Sequence, residues 1–99
     1  MDSNFLQENA QRASVLLKAL SNEKRLQIVC VLYDGERAVG DLEKVVGLSQ
    51  SALSQHLARL RRDNIVKTRR EAQTIYYSIG DPIVEKLLHA LCDILHEEE

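Results

Sequence analysis

Proline, glycine and aromatic residues are all scarce in this chain. Its 99 residues include one Pro, four Gly, no Trp, three Tyr and one Phe. That excludes a Pro/Gly-rich low-complexity chain, and it argues against an interaction module built on aromatic anchors. Cys30 and Cys92 are the only cysteines, too few for a disulfide scaffold and too far apart for a CxxC pair. There is no Gly-rich phosphate loop and no Ser/His/Asp set of a hydrolase, so an enzyme is not expected. No apolar run approaches the roughly 18 residues of a membrane span. The opening MDSNFLQENAQR has neither the basic start nor the apolar core of a signal peptide, so a cytosolic protein is expected. What is present is a 44% hydrophobic, 28% charged composition, that of one folded domain over residues 1–99. So short a chain buries only part of its surface, which leaves room for an oligomeric partner.

The net charge of −2 hides an uneven distribution. Residues 49–70 hold Arg59, Arg61, Arg62, Lys67, Arg69 and Arg70 against Asp63 alone, a net of +5, so the remainder carries −7. A basic stretch on an otherwise acidic chain is the footprint of a polyanionic partner, or else a solvated charged face. Position decides between them. Residues 5–19 read as an amphipathic helix carrying Phe5, Leu6, Ala13, Leu16 and Leu17, with Leu20 next. Ser21-Asn22 offers a cap for a second helix, Glu23 to about Tyr33, with Leu26, Val29, Cys30 and Tyr33 at helical spacing. A short helix from Val39 to Val46 points Leu42, Val45 and Val46 inward, and Gly47 stands where a left-handed residue ends it. Ser49 caps the next helix, Gln50 to Arg62, with Leu53, Leu57 and Leu60 buried. Two short helices joined by a Gly-containing turn make a helix-turn-helix.

Beyond Asp63-Asn64 the period changes. Ile65, Val66 and Thr68, then Thr74 to Ile79, are β-branched or aromatic and predict a hairpin, joined by the polar stretch 69–73. Asp81-Pro82 opens a last helix with Val84, Leu87, Leu88, Leu91, Cys92 and Leu95 on one stripe, ending in Glu97-Glu98-Glu99. The predicted class is mainly α with minor β: a winged helix-turn-helix with an extra helix at each end. Opposite its Leu stripe, helix 50–62 exposes Gln50, Ser51, Ser54, Gln55, Arg59 and Arg62. Gln and Ser near the N-terminus suit base edges in the major groove of double-stranded DNA, and the arginines further along suit phosphates. His56 has two readings, a contact to the DNA backbone or packing within the helix-turn-helix. Arg69, Arg70 and Gln73 fall at the hairpin tip, where a basic wing suits the minor groove or its phosphates. A charged hairpin that only blocks edge pairing is the other reading.

With these elements in place, the sequence resembles the ArsR/SmtB family of bacterial transcriptional repressors. The resemblance is carried by LLKALSNEKRLQIVCVL (16–32), GDLEKVVGLSQSALSQHLARLRRDNIV (40–66) and RREAQTIYYSI (69–79). It implies a homodimer formed through the first and last helices, seated on a pseudo-palindromic operator. Many members sense metals. The family's thiolate pattern, similar to ELCVCDL, is ERAVGDL here, with Ala38 and Gly40 in place of the cysteines. On the last helix, Asp81-Pro82-Ile83 lacks the family's first His, leaving His89, Asp93 and His96 as a weak alternative zinc set. No cofactor is expected.

On residue chemistry alone, Cys30 and Cys92 read as small buried hydrophobes or as reactive thiols. The flanking IVCVL and QSALSQHLARLRRD resemble the BigR/SqrR-type members, which carry one cysteine on each of these two helices and sense reactive sulfur species. In that subgroup the thiolates attack a persulfide or polysulfide, become linked through sulfur, and the repressor leaves its operator. The resemblance thus implies that Cys30 and Cys92 are the sensing pair and a small persulfide or polysulfide the inducer. Zinc, haem and general redox sensing are the alternatives within the family.

Overall fold

The structure, a computed structural model, describes residues 2–98; Glu99, at the end of the acidic tail, lies outside them with Met1. The elements are α1 (Ser3–Leu20), α2 (Glu23–Tyr33), β1 (Arg37–Ala38), α3 (Val39–Val46), α4 (Gln50–Arg62), β2 (Val66–Glu71), β3 (Thr74–Ile79) and α5 (Pro82–Glu97). The winged helix-turn-helix order holds. Short polar side chains start four of the helices by accepting a backbone N–H that the helix leaves unpaired. Asp2 accepts from Phe5 at 2.8 Å, Asn22 from Arg25 at 3.0 Å, Ser49 from Ala52 at 3.2 Å and Asp81 from Ile83 at 2.9 Å. Gly47, at φ +73°, ends α3 in the left-handed conformation and turns the chain into α4.

The core is wholly apolar. It joins Leu16, Ala19 and Leu20 of α1, Ile28, Val29 and Leu32 of α2, Leu42 and Val46 of α3, and Leu53, Leu57 and Leu60 of α4. Ile65, Val66, Ile79, Val84 and Leu88 complete it, with no buried polar side chain among the described residues. One burial expectation needs correction. Val45 does not face inward but is 62% exposed. On α2 the deepest residues are Ile28, Val29 and Leu32, while Leu26, Cys30 and Tyr33 pack only partly buried at the edge. The stripes of α1 and α5 are covered over only a few residues; Phe5, Leu6, Leu17, Leu87 and Leu95 stay exposed.

The sequence predicts a two-stranded hairpin. The structure adds β1, giving an antiparallel sheet in the order β1-β3-β2. Arg37 and Ala38 pair with Tyr77 and Tyr76, a strand too short to carry a periodic signal. The hairpin connection is also shorter than expected. β2 runs through Arg69, Arg70 and Glu71, which pair with Tyr76, Ile75 and Thr74, so only Ala72-Gln73 turn the chain. Ala72 holds φ +55° there.

Gly80 follows β3 and donates its N–H to the Ile65 carbonyl at 2.8 Å. A Cβ at this position would lie 3.2 Å from the carbonyl carbon of Val66 and 3.3 Å from the backbone nitrogen of Lys67. Backbone cannot yield as a side-chain tip does. Gly80→Ala is therefore expected to lower unfolding free energy by about 1–3 kcal/mol, the usual scale of overpacking, read as a lower midpoint in urea denaturation.

Candidate nucleic-acid interface and thiol pair

Burial of Leu53, Leu57 and Leu60 at three- and four-residue steps fixes which way α4 faces. Gln50, Ser51, Ser54, Gln55, Arg61 and Arg62 are then left exposed on the outer side. Ser54, Ala58, Arg61 and Arg62 line a shallow groove whose other wall is Ile75 and Tyr77 of the wing. The helix and the sheet thus flank one depression edged by two guanidinium groups. A groove of that kind can take a sugar-phosphate strand while the outer face of α4 meets base edges.

Arg59, expected on this face, and His56, read either way, are only partly exposed. Arg59 is half-buried, its Nε 3.8 Å from Asp63 Oδ2, shielded from solvent and without a hydrogen-bond partner. His56 is half-buried as well, and burial followed by the nearby positive charge of Arg25 pushes its pKa down. A neutral, half-buried imidazole fits the packing reading better than a phosphate contact. Arg25 stands at the centre of this region. Its Nε donates to the Ala19 carbonyl at 2.6 Å and its Nη2 to that of Lys18 at 3.3 Å, covering the C-terminal end of α1. Nothing in the sequence pattern pointed to this contact of Arg25, because its partners are carbonyls and carry no residue signature.

The wing differs from its expected form. Arg69 is not at the tip but within β2, and its guanidinium is already engaged. Nε and Nη2 hold the Glu36 carboxylate at 2.8–3.0 Å, Nη1 holds Glu71 at 2.9 Å, and the group lies 4.5 Å over the Tyr76 ring. The hydrogen bond to Arg69 lowers the pKa of Glu36, while the two carboxylates raise that of Arg69 further. With two anions beside it, Arg69 braces the wing against the segment before β1. Arg70 is exposed on β2 and Gln73 is exposed in the turn.

Cys30 and Cys92 are both reduced, half-buried thiols on α2 and α5. The fold brings them together closely enough that Cys92 opposes ionisation of Cys30. Burial is the larger cause of the raised Cys30 pKa, with Cys92 and then Asp34 adding to it. Three basic side chains of α2 and α5 have contacts of their own. Lys24 reaches the Val46 carbonyl at 3.5 Å, Arg25 covers α1, and His89 Nδ1 lies 2.8 Å from the Tyr33 hydroxyl. His89 also pairs with Asp93 at 3.4 Å, and among the described residues no three His, Cys, Asp or Glu side chains gather as a metal site would require.

The fold and site have known counterparts. The sequence model described as "Bacterial regulatory protein, arsR family" matches residues 22–68. The chain is 50% identical to the transcriptional activator HlyU of Vibrio cholerae over 92% of its own length and 84% of the relative's. Reduced HlyU superposes with a TM-score of 0.87 at 50% identity, over 90% of this chain and 94% of that one. The transcriptional repressor BigR of Xylella fastidiosa gives 0.86 at 39% identity, over 95% and 96%. Mb0332 of Mycobacterium bovis, a homodimeric winged helix-turn-helix DNA-binding domain and possible ArsR-family regulator, gives 0.80 at 32% identity, over 98% and 89%. These relatives are named as regulators, some activating and some repressing, and no helix among the described residues is long and apolar enough to cross a membrane. Similarity of this degree over nearly the whole length of both partners means that the chain belongs to the ArsR family and is a winged-helix, DNA-binding transcriptional regulator.

Proposed function

We propose that the protein is a homodimeric repressor that holds operator DNA while Cys30 and Cys92 are thiols and releases it when polysulfide joins them. The placement of one thiol on each of the packed helices α2 and α5, three residues from the Tyr33–His89 contact in both, carries this reading. α2 shares the core with α4, the reading helix, while α5 carries much of the surface that needs a second copy. A link between them therefore ties the reading module to the dimer contact. Among the relatives, one is known in a reduced form, another is a repressor and a third is homodimeric.

The dimer reading rests on uncovered apolar surface at both ends of the chain. Phe5, Leu6, Val15 and Leu17 on α1, with Ile94 and Leu95 on α5, are each about half exposed, more than one small domain leaves unpaired. A second copy covers both helices at once through an isologous contact. Two α4 helices would then lie about one DNA turn apart, roughly 34 Å, matching a pseudo-palindromic site. In each, Gln50, Ser51, Ser54 and Gln55 read bases, and Arg61, Arg62 and Arg70 hold phosphates, with Gln73 at the wing turn.

The sulfur chemistry needs no other oxidant than the polysulfide. One thiolate attacks an internal sulfur of hydrogen tetrasulfide and expels hydrosulfide, leaving a sulfur chain on that cysteine. The second thiolate attacks the chain and expels another hydrosulfide. Both thiols are oxidised, their two protons leave with the two expelled sulfurs as hydrogen sulfide, and the other two sulfurs remain between the cysteines. Only a modest coupling is needed, since 1–3 kcal/mol, typical of allostery, is about 5- to 150-fold in affinity.

Three outcomes test this. Cys30→Ser and Cys92→Ser should each bind promoter DNA as wild type does, yet keep it when tetrasulfide is added, in fluorescence anisotropy; a variant released like wild type would refute the two-thiol mechanism. Arg61→Ala with Arg62→Ala should weaken binding to all sequences and flatten the slope of log K against log salt by about one for each phosphate no longer neutralised. Leu95→Glu should turn the dimer into monomer in sedimentation equilibrium, and an unshifted mass would place the interface elsewhere.

A further inference from the structure

Adjacent cations of the wing stand on opposite faces of the sheet. β2 and β3 pair antiparallel, with Thr68 opposite Tyr77, Arg69 opposite Tyr76 and Arg70 opposite Ile75. Opposed residues share a sheet face, and successive residues alternate between faces. Thr68 and Arg70 therefore stand on the face of Ile75 and Tyr77, which wall the groove beside α4. Lys67, Arg69 and Glu71 stand on the reverse face with Tyr76. Arg69 is held there on three sides. Its Nε and Nη2 fork onto Glu36 at 2.8–3.0 Å, its Nη1 donates to Glu71 at 2.9 Å, and the Tyr76 ring lies 4.5 Å from the guanidinium carbon. An isolated exposed ion pair counts for little, but a two-pronged contact of arginine with carboxylate inside a network is the case that holds.

A basic segment attracts DNA through each cation that neutralises a phosphate and releases a counterion. Along the chain Arg69 belongs to such a segment. In the fold one guanidinium faces two carboxylates, so the cluster of Glu36, Arg69 and Glu71 has a net negative charge. We propose that Glu36 and Glu71 withhold Arg69 from DNA, so that of the two neighbouring arginines only Arg70 meets a phosphate. Glu36 and Glu71 are positioning residues: they act on DNA through Arg69, and they lower the wing's attraction for a duplex of any sequence. This rests on the reading of the wing as a DNA contact and adds to it which of two adjacent arginines takes part.

A double-mutant cycle on the full chain tests it. Wild type is compared with Arg69→Gln, with Glu36→Gln plus Glu71→Gln, and with all three substitutions together. The three side chains are exposed, so none of these replacements opens the core. Binding to a scrambled duplex is followed by fluorescence anisotropy from about 50 to 200 mM salt. Arg69→Gln alone is expected to leave the slope of log K against log salt at its wild-type value. The paired glutamines should steepen the slope by about one, an added loss of about three- to fourfold over that salt range. Adding Arg69→Gln to them should restore the wild-type slope. No steepening in the paired variant, or an equal shift from Arg69→Gln in both backgrounds, would overturn the withholding alone. Arg70→Ala separates the two levels: it should flatten the slope by about one, and an unchanged slope would remove the wing from the DNA contact and this proposal with it.

Discussion

Everything in this fold leans on the apolar side of α2. Ile28, Val29 and Leu32 are almost fully enclosed, and α1, α3, α4, α5 and β3 all pack around the helix that carries them. Among the described residues no fully buried side chain is polar, so no such group directs this assembly. Orientation comes instead from the ends of the elements: capped helix starts, the left-handed Gly47, and Arg25 gathering the last carbonyls of α1. Apolar packing of this kind is strong but not directional, so the angles between elements depend on those few polar contacts at their ends. α2 also holds one of the two thiols, so the proposed sulfur link would act on the helix around which the fold is built.

Much of this was legible in the order of residues. Leu53, Leu57 and Leu60 against exposed Gln and Ser disclose α4 and its outward face, and Asp81-Pro82 marks the start of α5 to the residue. Such signals repeat at a fixed period or depend on one residue's backbone chemistry. What escaped was set by partners distant in the chain. β1 is two residues that become a strand only because Tyr76 and Tyr77 lie alongside. Val45 looks like its neighbour Val46, but the helix is too short for its stripe to reveal which of the two turns inward. Arg69, Arg70 and Glu71 read as a polar loop because both faces of that strand end are solvated, so no alternation marks it.

The candidate sites follow the same rule. Residue type and helical spacing pointed to the polar face of α4, and the fold leaves that face exposed. The same reasoning could not separate Arg59 from Arg61, since both are arginines on one helix. Asp63, four residues beyond Arg59, lies 3.8 Å from its Nε, and Arg61 lines the groove. The two cysteines were visible as residues but not as neighbours. Their apposition, and the Tyr33–His89 contact a turn away, depend on how α5 returns to α2 at the end of the chain.

The Glu36–Arg69 pairing has a wider consequence. Glu36 precedes β1, which leads directly into α3, while Arg69 belongs to the wing, so a two-toothed carboxylate grip spans the sheet from one side to the other. The wing is thereby fastened to the helices rather than hanging from its own hairpin. In the proposed complex a duplex would meet the wing already fixed to the helices, and the loss of freedom that a swinging arm would suffer on contact is incurred during folding instead. Recognition would then turn on how well the nucleic acid conforms to the protein, so that the softness of an operator's own base steps would become a selectable property.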